Sequence, residues 1–187
     1  MLELLYAGSE KGSSATLLIT AEHTIVVDTS TPEVRDEIIM GLEKVGLGVE
    51  DVDVVVNTHI HPRHIGNNDL FKKAEVFASP HEFVKKFKGC LMYDEVLAFK
   101  DVKELVDDEI RIINTPGHTW GSISLIHEDY VIVGDAIPYK SFEFKKCVDD
   151  ISARGSVNRI LRLGKKIITG HDGVLECLDV KSAEHNL

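Results

Sequence analysis

Short apolar runs alternate with turn residues through the first third of the chain. Leu2 to Tyr6, Ala15 to Thr20 and Thr24 to Val27 are separated by a GSEKGSS segment and by Glu22-His23, a pattern that predicts antiparallel strands. The period then changes. Val34, Ile38, Leu42 and Val45 recur at helical spacing ahead of Gly46, and Ser30-Thr31-Pro32-Glu33 offers an N-cap with proline at the first helical position, so a helix is predicted over 32–45. Beyond it, four apolar runs are each followed within a few residues by a side chain able to bind a metal. Val54-Val55-Val56 precedes His59, Ile110 to Ile113 precedes His118, Val131-Ile132-Val133 precedes Asp135, and Ile167-Ile168 precedes His171. Buried Val/Ile strands suit a sheet covered by helices, with the four ligands converging on one rim at the strands' carboxyl ends. Residues 80–88 and 156–163 read as further helices, the second with Ser156 as N-cap and Gly164 at its stop.

Composition narrows the class. A length of 187 residues is near the ~150 of a typical domain, so a single domain over 1–187 is expected. The hydrophobic share of 43% and charged share of 28% are those of a globular chain. The net charge of −10 and the scattered basic pairs Lys85-Lys86 and Lys165-Lys166 deny a nucleic-acid partner its electrostatic footprint. No apolar stretch reaches the ~20 residues of a membrane span, and the opening MLELLYAGSEKGSS lacks a basic leader. Cys90, Cys147 and Cys177 show no paired spacing and read as reduced, idle thiols, which points to the cytoplasm. The absence of glutamine, with abundant Lys and Glu, is a thermophilic bias. A small-molecule substrate is the partner this balance favours.

Chemistry concentrates in Thr58-His59-Ile60-His61-Pro62-Arg63-His64. His59 and His61, two positions apart on an extended segment, project to the same side and can share a tetrahedral cation. The Pro116-Gly117-His118 turn can aim a third imidazole, and a carboxylate at a buried strand end, Asp135, must be paired, protonated or bound to a cation. His171 in TGHDG repeats the strand, turn, histidine design. His23, His81, His127 and His185 read as structural or solvent-facing, and Asp107-Asp108-Glu109 and Asp149-Asp150 as solvated runs. Trp120, beside the His118 loop, suits either packing or a substrate wall.

THIHPRHIGN, TPGHTWGS, VIVGD and ITGHDG, in this order, resemble the motifs of the metallo-β-lactamase superfamily of metal-dependent hydrolases. The resemblance spans Asp28 to His171 and implies an α/β (α+β) fold, a four-layer αββα sandwich with a metal site at one edge. It places His59, His61 and His118 in a first metal site, Asp135 as the bridging carboxylate, His64 and His171 in a second site, and Asp28 as a structural carboxylate nearby. The family's HxHxDH motif departs here, because Arg63 stands where its second-site aspartate belongs.

Arginine stays cationic and cannot ligate a metal. Two arrangements follow. In one, a single metal is held by His59, His61, His118 and Asp135, and Arg63 replaces the second cation and binds an anionic or carbonyl oxygen. In the other, Arg63 turns away and His64, Asp135 and His171 form an open second site. The expected activity is a zinc-dependent hydrolase of a small ester, thioester or lactone, working through hydroxide generated at one or two Zn ions, with Asp135, Arg63 and His171 in catalytic roles. From the short stretch after Asp135, no appended substrate domain is expected, which favours small substrates. Fe is the alternative metal: the superfamily also resembles mononuclear iron persulfide dioxygenases, and a non-catalytic metal- or ligand-binding protein is the third reading.

Overall fold

The computed structural model describes residues 1–82, 99–142 and 147–176. Its strands are β1 (Leu2–Tyr6), β2 (Ala15–Ile19), β3 (Thr24–Val27), β4 (Val54–Val56), β5 (Glu75–Ala78), β6 (Lys100–Asp101), β7 (Ile110–Asn114), β8 (Ile123–His127), β9 (Tyr130–Gly134), β10 (Lys166–Thr169) and β11 (Val174–Leu175). Its α-helices are α1 (Arg35–Lys44), α2 (Pro62–Ile65) and α3 (Asp150–Leu161). The predicted N-terminal strands form, with antiparallel pairing of β1 to β2 and β2 to β3.

The strands divide between two sheets, ordered β1-β2-β3-β4-β5-β6 and β11-β10-β9-β8-β7. The single sheet expected from the sequence is therefore corrected: β4 belongs to the first sheet, whereas β7, β9 and β10 belong to the second, and their ends still meet at one edge. The valine runs show why both faces of each sheet are covered. Val54 and Val56 pack with Val27, Ile123, Leu125, Ile132 and Ile168 between the sheets, while Val55 packs outward with Ile38, Leu42 and Phe71 beneath α1. Val131 and Val133 of β9 face away from the middle layer, against Val157, Ile160 and Leu161 of α3. Alternation with period two thus loads both faces of each sheet. The layers run α1, sheet, sheet, α3, which is the expected αββα sandwich.

Local signals account for the helix limits and for three corrections. The helix predicted over 32–45 opens as a 3₁₀ turn at Pro32–Val34 and continues as α1. α3 begins six residues ahead of Ser156, capped by Asp149, whose carboxylate accepts hydrogen bonds from the Ile151 N–H (3.2 Å) and the Ser152 hydroxyl (2.5 Å). Asp149 is thus a cap and Asp150 a first-turn acid that stays exposed, as expected. Of the helix read over 80–88, Pro80–Glu82 forms a 3₁₀ turn and the remainder, with Lys85-Lys86, lies outside the described residues. Asp107, read as solvated, is buried and accepts from the Thr20 hydroxyl at 2.7 Å and the Glu109 N–H at 2.9 Å. His127 is buried on β8, with Nδ1 3.2 Å from the Glu109 carbonyl. Cys147 is half-buried and unpaired, while Cys90, Cys177 and His185 lie outside the described residues. Among the described residues, no helix is long and apolar enough to cross a membrane.

Candidate metal centre

Each prospective ligand sits just beyond a strand end, so the strands fix its origin and short turns aim it. β4 leads to His59, and Asp28, following β3, holds the exit path. Its carboxylate accepts from the Thr58 N–H (2.8 Å) and hydroxyl (2.7 Å), and Oδ2 lies 2.8 Å from His64 Nδ1. Asp28 adopts a left-handed backbone, φ 56°, which aspartate tolerates better than most residues. His61 then caps α2, where Pro62 fills a position whose N–H needs no partner, and the single turn carries Arg63 and His64.

The second sheet supplies the rest. The loop after β7 closes through the Thr115 N–H to the Ser122 carbonyl at 2.8 Å and carries His118. Ser156 donates to the Pro116 carbonyl at 2.7 Å, so the residue read as a helix cap anchors the His118 loop from mid-helix. Asp135 follows Gly134, whose φ of 51° turns the chain, and a Cβ there would stand 2.3 Å from Thr58 Oγ1. His171 follows β10, with Nδ1 facing the carbonyls of Ser9 (3.0 Å) and Gly12 (2.9 Å).

These residues form two clusters divided by one carboxylate. His61 Nδ1 lies 3.0 Å from His59 Nε2 and 2.9 Å from His118 Nε2, and His118 Nε2 lies 3.2 Å from Asp135 Oδ2. On the other side, Asp135 Oδ1 lies 2.9 Å from His171 Nε2 and 3.3 Å from His64 Nε2. Donor atoms within each cluster all fall within 4.8 Å of one another. Arg63 points inward, with Nη2 donating to Asp135 Oδ2 at 2.9 Å and the side chain one-third exposed.

The donor set fits a divalent cation. Because His171 Nδ1 faces two carbonyl acceptors, that nitrogen carries the ring proton in the neutral form and Nε2 presents a lone pair to Asp135. His64 Nε2, His171 Nε2 and Asp135 Oδ1 are buried without a hydrogen-bond partner among the described residues. Lone pairs so disposed repel unless a cation or proton lies among them. Imidazole nitrogens with a carboxylate oxygen are ligands that zinc and its neighbours accept.

Burial, reinforced by the neighbouring imidazoles, pushes His59 well below the usual histidine range, His61 down to about 4 and His118 down as well. All three are therefore neutral at pH 7, with lone pairs free for a cation. Burial opposes the charge on His64, but the Asp135 and Asp28 carboxylates outweigh it and raise it to about 9. Burial would raise Asp135, yet His64 and the contacts from His171 hold it well below the usual carboxylate range.

Two contributors escape a sequence reading. The GSEKGSS segment, read only as a turn, supplies the Ser9 and Gly12 carbonyls to His171, and the Ser13 N–H donates to the Arg63 carbonyl at 3.0 Å. Glu82, half-buried, contacts the loops of both His61 and His118. Burial pushes its carboxyl up. Nothing in its local sequence marks it.

Comparison with known proteins decides the family. The family model described as the Metallo-beta-lactamase superfamily matches residues 8–87. A probable metallo-hydrolase of Methanocaldococcus jannaschii is 46% identical over 156 residues, covering 81% of this chain and 72% of that protein. The chain belongs to the metallo-β-lactamase superfamily. Two solved structures share the superfamily's fold. One, from Thermotoga maritima and assigned as a metallo-beta-lactamase, aligns with TM-score 0.74 at 20% identity over 94% of this chain and 98% of its own. The other, an N-acyl homoserine lactone hydrolase with its product N-hexanoyl-L-homoserine bound at the catalytic metal center, aligns with TM-score 0.68 at 23% identity over 86% of this chain and 82% of its own. As a superfamily member with these His/Asp clusters, the chain is a metal-dependent hydrolase.

Proposed function

We propose that the chain hydrolyses a small ester, thioester or lactone, using a single zinc held by His59, His61, His118 and Asp135, with Arg63 in place of a second cation. The observation that carries this reading is the inward Arg63, whose guanidinium engages Asp135 Oδ2. A second divalent ion would add charge to a buried site whose anions already face a fixed cation, a costly arrangement. His64 and His171 stand as the ligands of a second site should one form.

Zinc held by these residues would supply a bound water with its pKa lowered toward ~7 and would polarise a carbonyl oxygen. Asp135, whose carboxylate is held well below the usual range, would stay ionised and orient the attacking water by accepting a hydrogen bond from it. His171 Nε2, 2.9 Å from Asp135 Oδ1, would take the proton the water releases and return it to the leaving group. Arg63, partly exposed, donates to the oxygen that gains negative charge as the carbonyl is attacked. Trp120, exposed beside the His118 loop, offers an apolar wall for the acyl portion. Likeness to the N-acyl homoserine lactone hydrolase supports the lactone as a member of this substrate class. The chain is proposed to act in the cytoplasm.

A panel of esters, thioesters and lactones assayed with zinc-loaded protein tests the reading. Turnover of at least one class, reduced by at least about 100-fold in Asp135→Asn, is expected. No turnover across the panel at full zinc loading would overturn it, and oxygen uptake by the iron-loaded protein on a thiol persulfide would replace it with the dioxygenase reading.

A further inference from the structure

One carboxylate reaches both ligand loops of the first cluster. Glu82 follows β5, with its own N–H donating to the Ser79 carbonyl at 3.1 Å. Its Oε2 accepts from the Ile60 N–H at 3.2 Å, between His59 and His61, and its Oε1 accepts from the Thr119 hydroxyl at 2.5 Å, next to His118. The Gly121 backbone also lies against the Glu82 carboxylate and helps hold its negative form. The approach is close enough that a Cβ on Gly121 would stand 2.5 Å from both the Glu82 nitrogen and Oε1.

We propose that Glu82 is a positioning residue that braces the His59–His61 segment of one sheet against the His118 loop of the other, so that three imidazoles from two sheets meet one ion. The inference rests on the zinc reading above and concerns residues that do not themselves touch the metal. Among the described residues, every partner of the Glu82 carboxylate is a donor, so an acceptor-only group is required there. A glutamine would turn an NH₂ toward at least one of these donors. With the brace removed, each loop keeps its own turn but loses its register with the other. Partners that orient metal ligands in this way are commonly worth about 10–100-fold in metal affinity.

The test is zinc affinity, measured by competition with a chromogenic chelator, for the parent chain, Glu82→Gln, Gly121→Ala and Thr119→Val, with the thermal midpoint of each zinc-free protein recorded alongside. Glu82→Gln is expected to bind zinc about 10–100-fold more weakly, and Gly121→Ala to match it by displacing the carboxylate without removing it. Thr119→Val, which removes one donor and leaves the Ile60 N–H, is expected to lose less. A purely structural Glu82 would lower the zinc-free midpoint and leave zinc affinity unchanged, and that result in Gly121→Ala or Thr119→Val overturns the proposal even if Glu82→Gln fails to fold. A parent chain that binds no zinc overturns the zinc reading and this inference with it. Zinc held equally by parent and variants overturns this inference alone.

Discussion

The two ends of the sandwich carry the same residue types to opposite effect. At the end away from the metal centre, His23 Nδ1 lies 3.0 Å from Asp107 Oδ2, and Asp107 also accepts from Thr20 and the Glu109 N–H. Glu109 in turn accepts from the Ala21 N–H at 2.6 Å, so these acids tie the β2–β3 turn to the start of β7. At the other end, the hydrogen bonds of Asp28 and of the Ser9 and Gly12 carbonyls are spent on the outer nitrogens of His64 and His171. Their inner nitrogens converge on Asp135 without hydrogen-bond partners among the described residues. Among the same residues His127 Nε2, in the first region, is also buried without a partner, but it belongs to neither ligand cluster. Histidine and carboxylate in contact therefore do not mark a metal site. Convergence of inner donor atoms whose outer atoms are anchored marks the metal-centre end, where the His59, His61 and His118 nitrogens converge as well.

The largest effect that sharpens this contrast is at His61 and His118. His61→Ala or His118→Ala is expected to lower bound metal by at least about tenfold while the zinc-free fold is kept, read by elemental analysis and circular dichroism. Normal metal content in either would erase the distinction between the two ends. Arg63→Asp comes next, and should raise metal content from about one to about two equivalents by completing a second ligand set. No gain would mean that Arg63 does not stand in for a cation.

At the far end, Asp107→Asn should cost about 1–2 kcal/mol in denaturant unfolding and leave metal content unchanged. Burial would raise the Asp107 carboxyl, but hydrogen bonds from Thr20, His23 and the Glu109 N–H outweigh it and hold it low. A depressed carboxyl contributes stability that is fully present above the unfolded value of ~3.9 and is lost as pH falls through the folded one. The gap between parent and Asp107→Asn should therefore be widest near neutrality and close in acid. A gap that persists at low pH would assign the loss to packing instead.

The residues that cluster were legible because a Val/Ile-rich run precedes each segment that carries them, and because the His59–His64 segment is so dense in imidazole. Which sheet each strand joins was not legible, since pairing is non-local: β4 and β9 read alike yet lie in different sheets. The anchors of His171 were hidden for another reason. They are backbone carbonyls, which carry no residue identity, so GSEKGSS shows only a turn. Glu82 and Asp107 are single acids whose roles depend on distant donors, Thr119 for one and Thr20 for the other. Ser156 reads as the cap in the sequence, but the helix runs longer and is capped by Asp149, which reads only as part of a short acidic run.

The most direct test of the single-metal account is the metal content of the untagged protein purified without chelators. About one equivalent of zinc per chain is predicted, with Arg63 supplying the remaining positive charge. Two equivalents, or none, would contradict it.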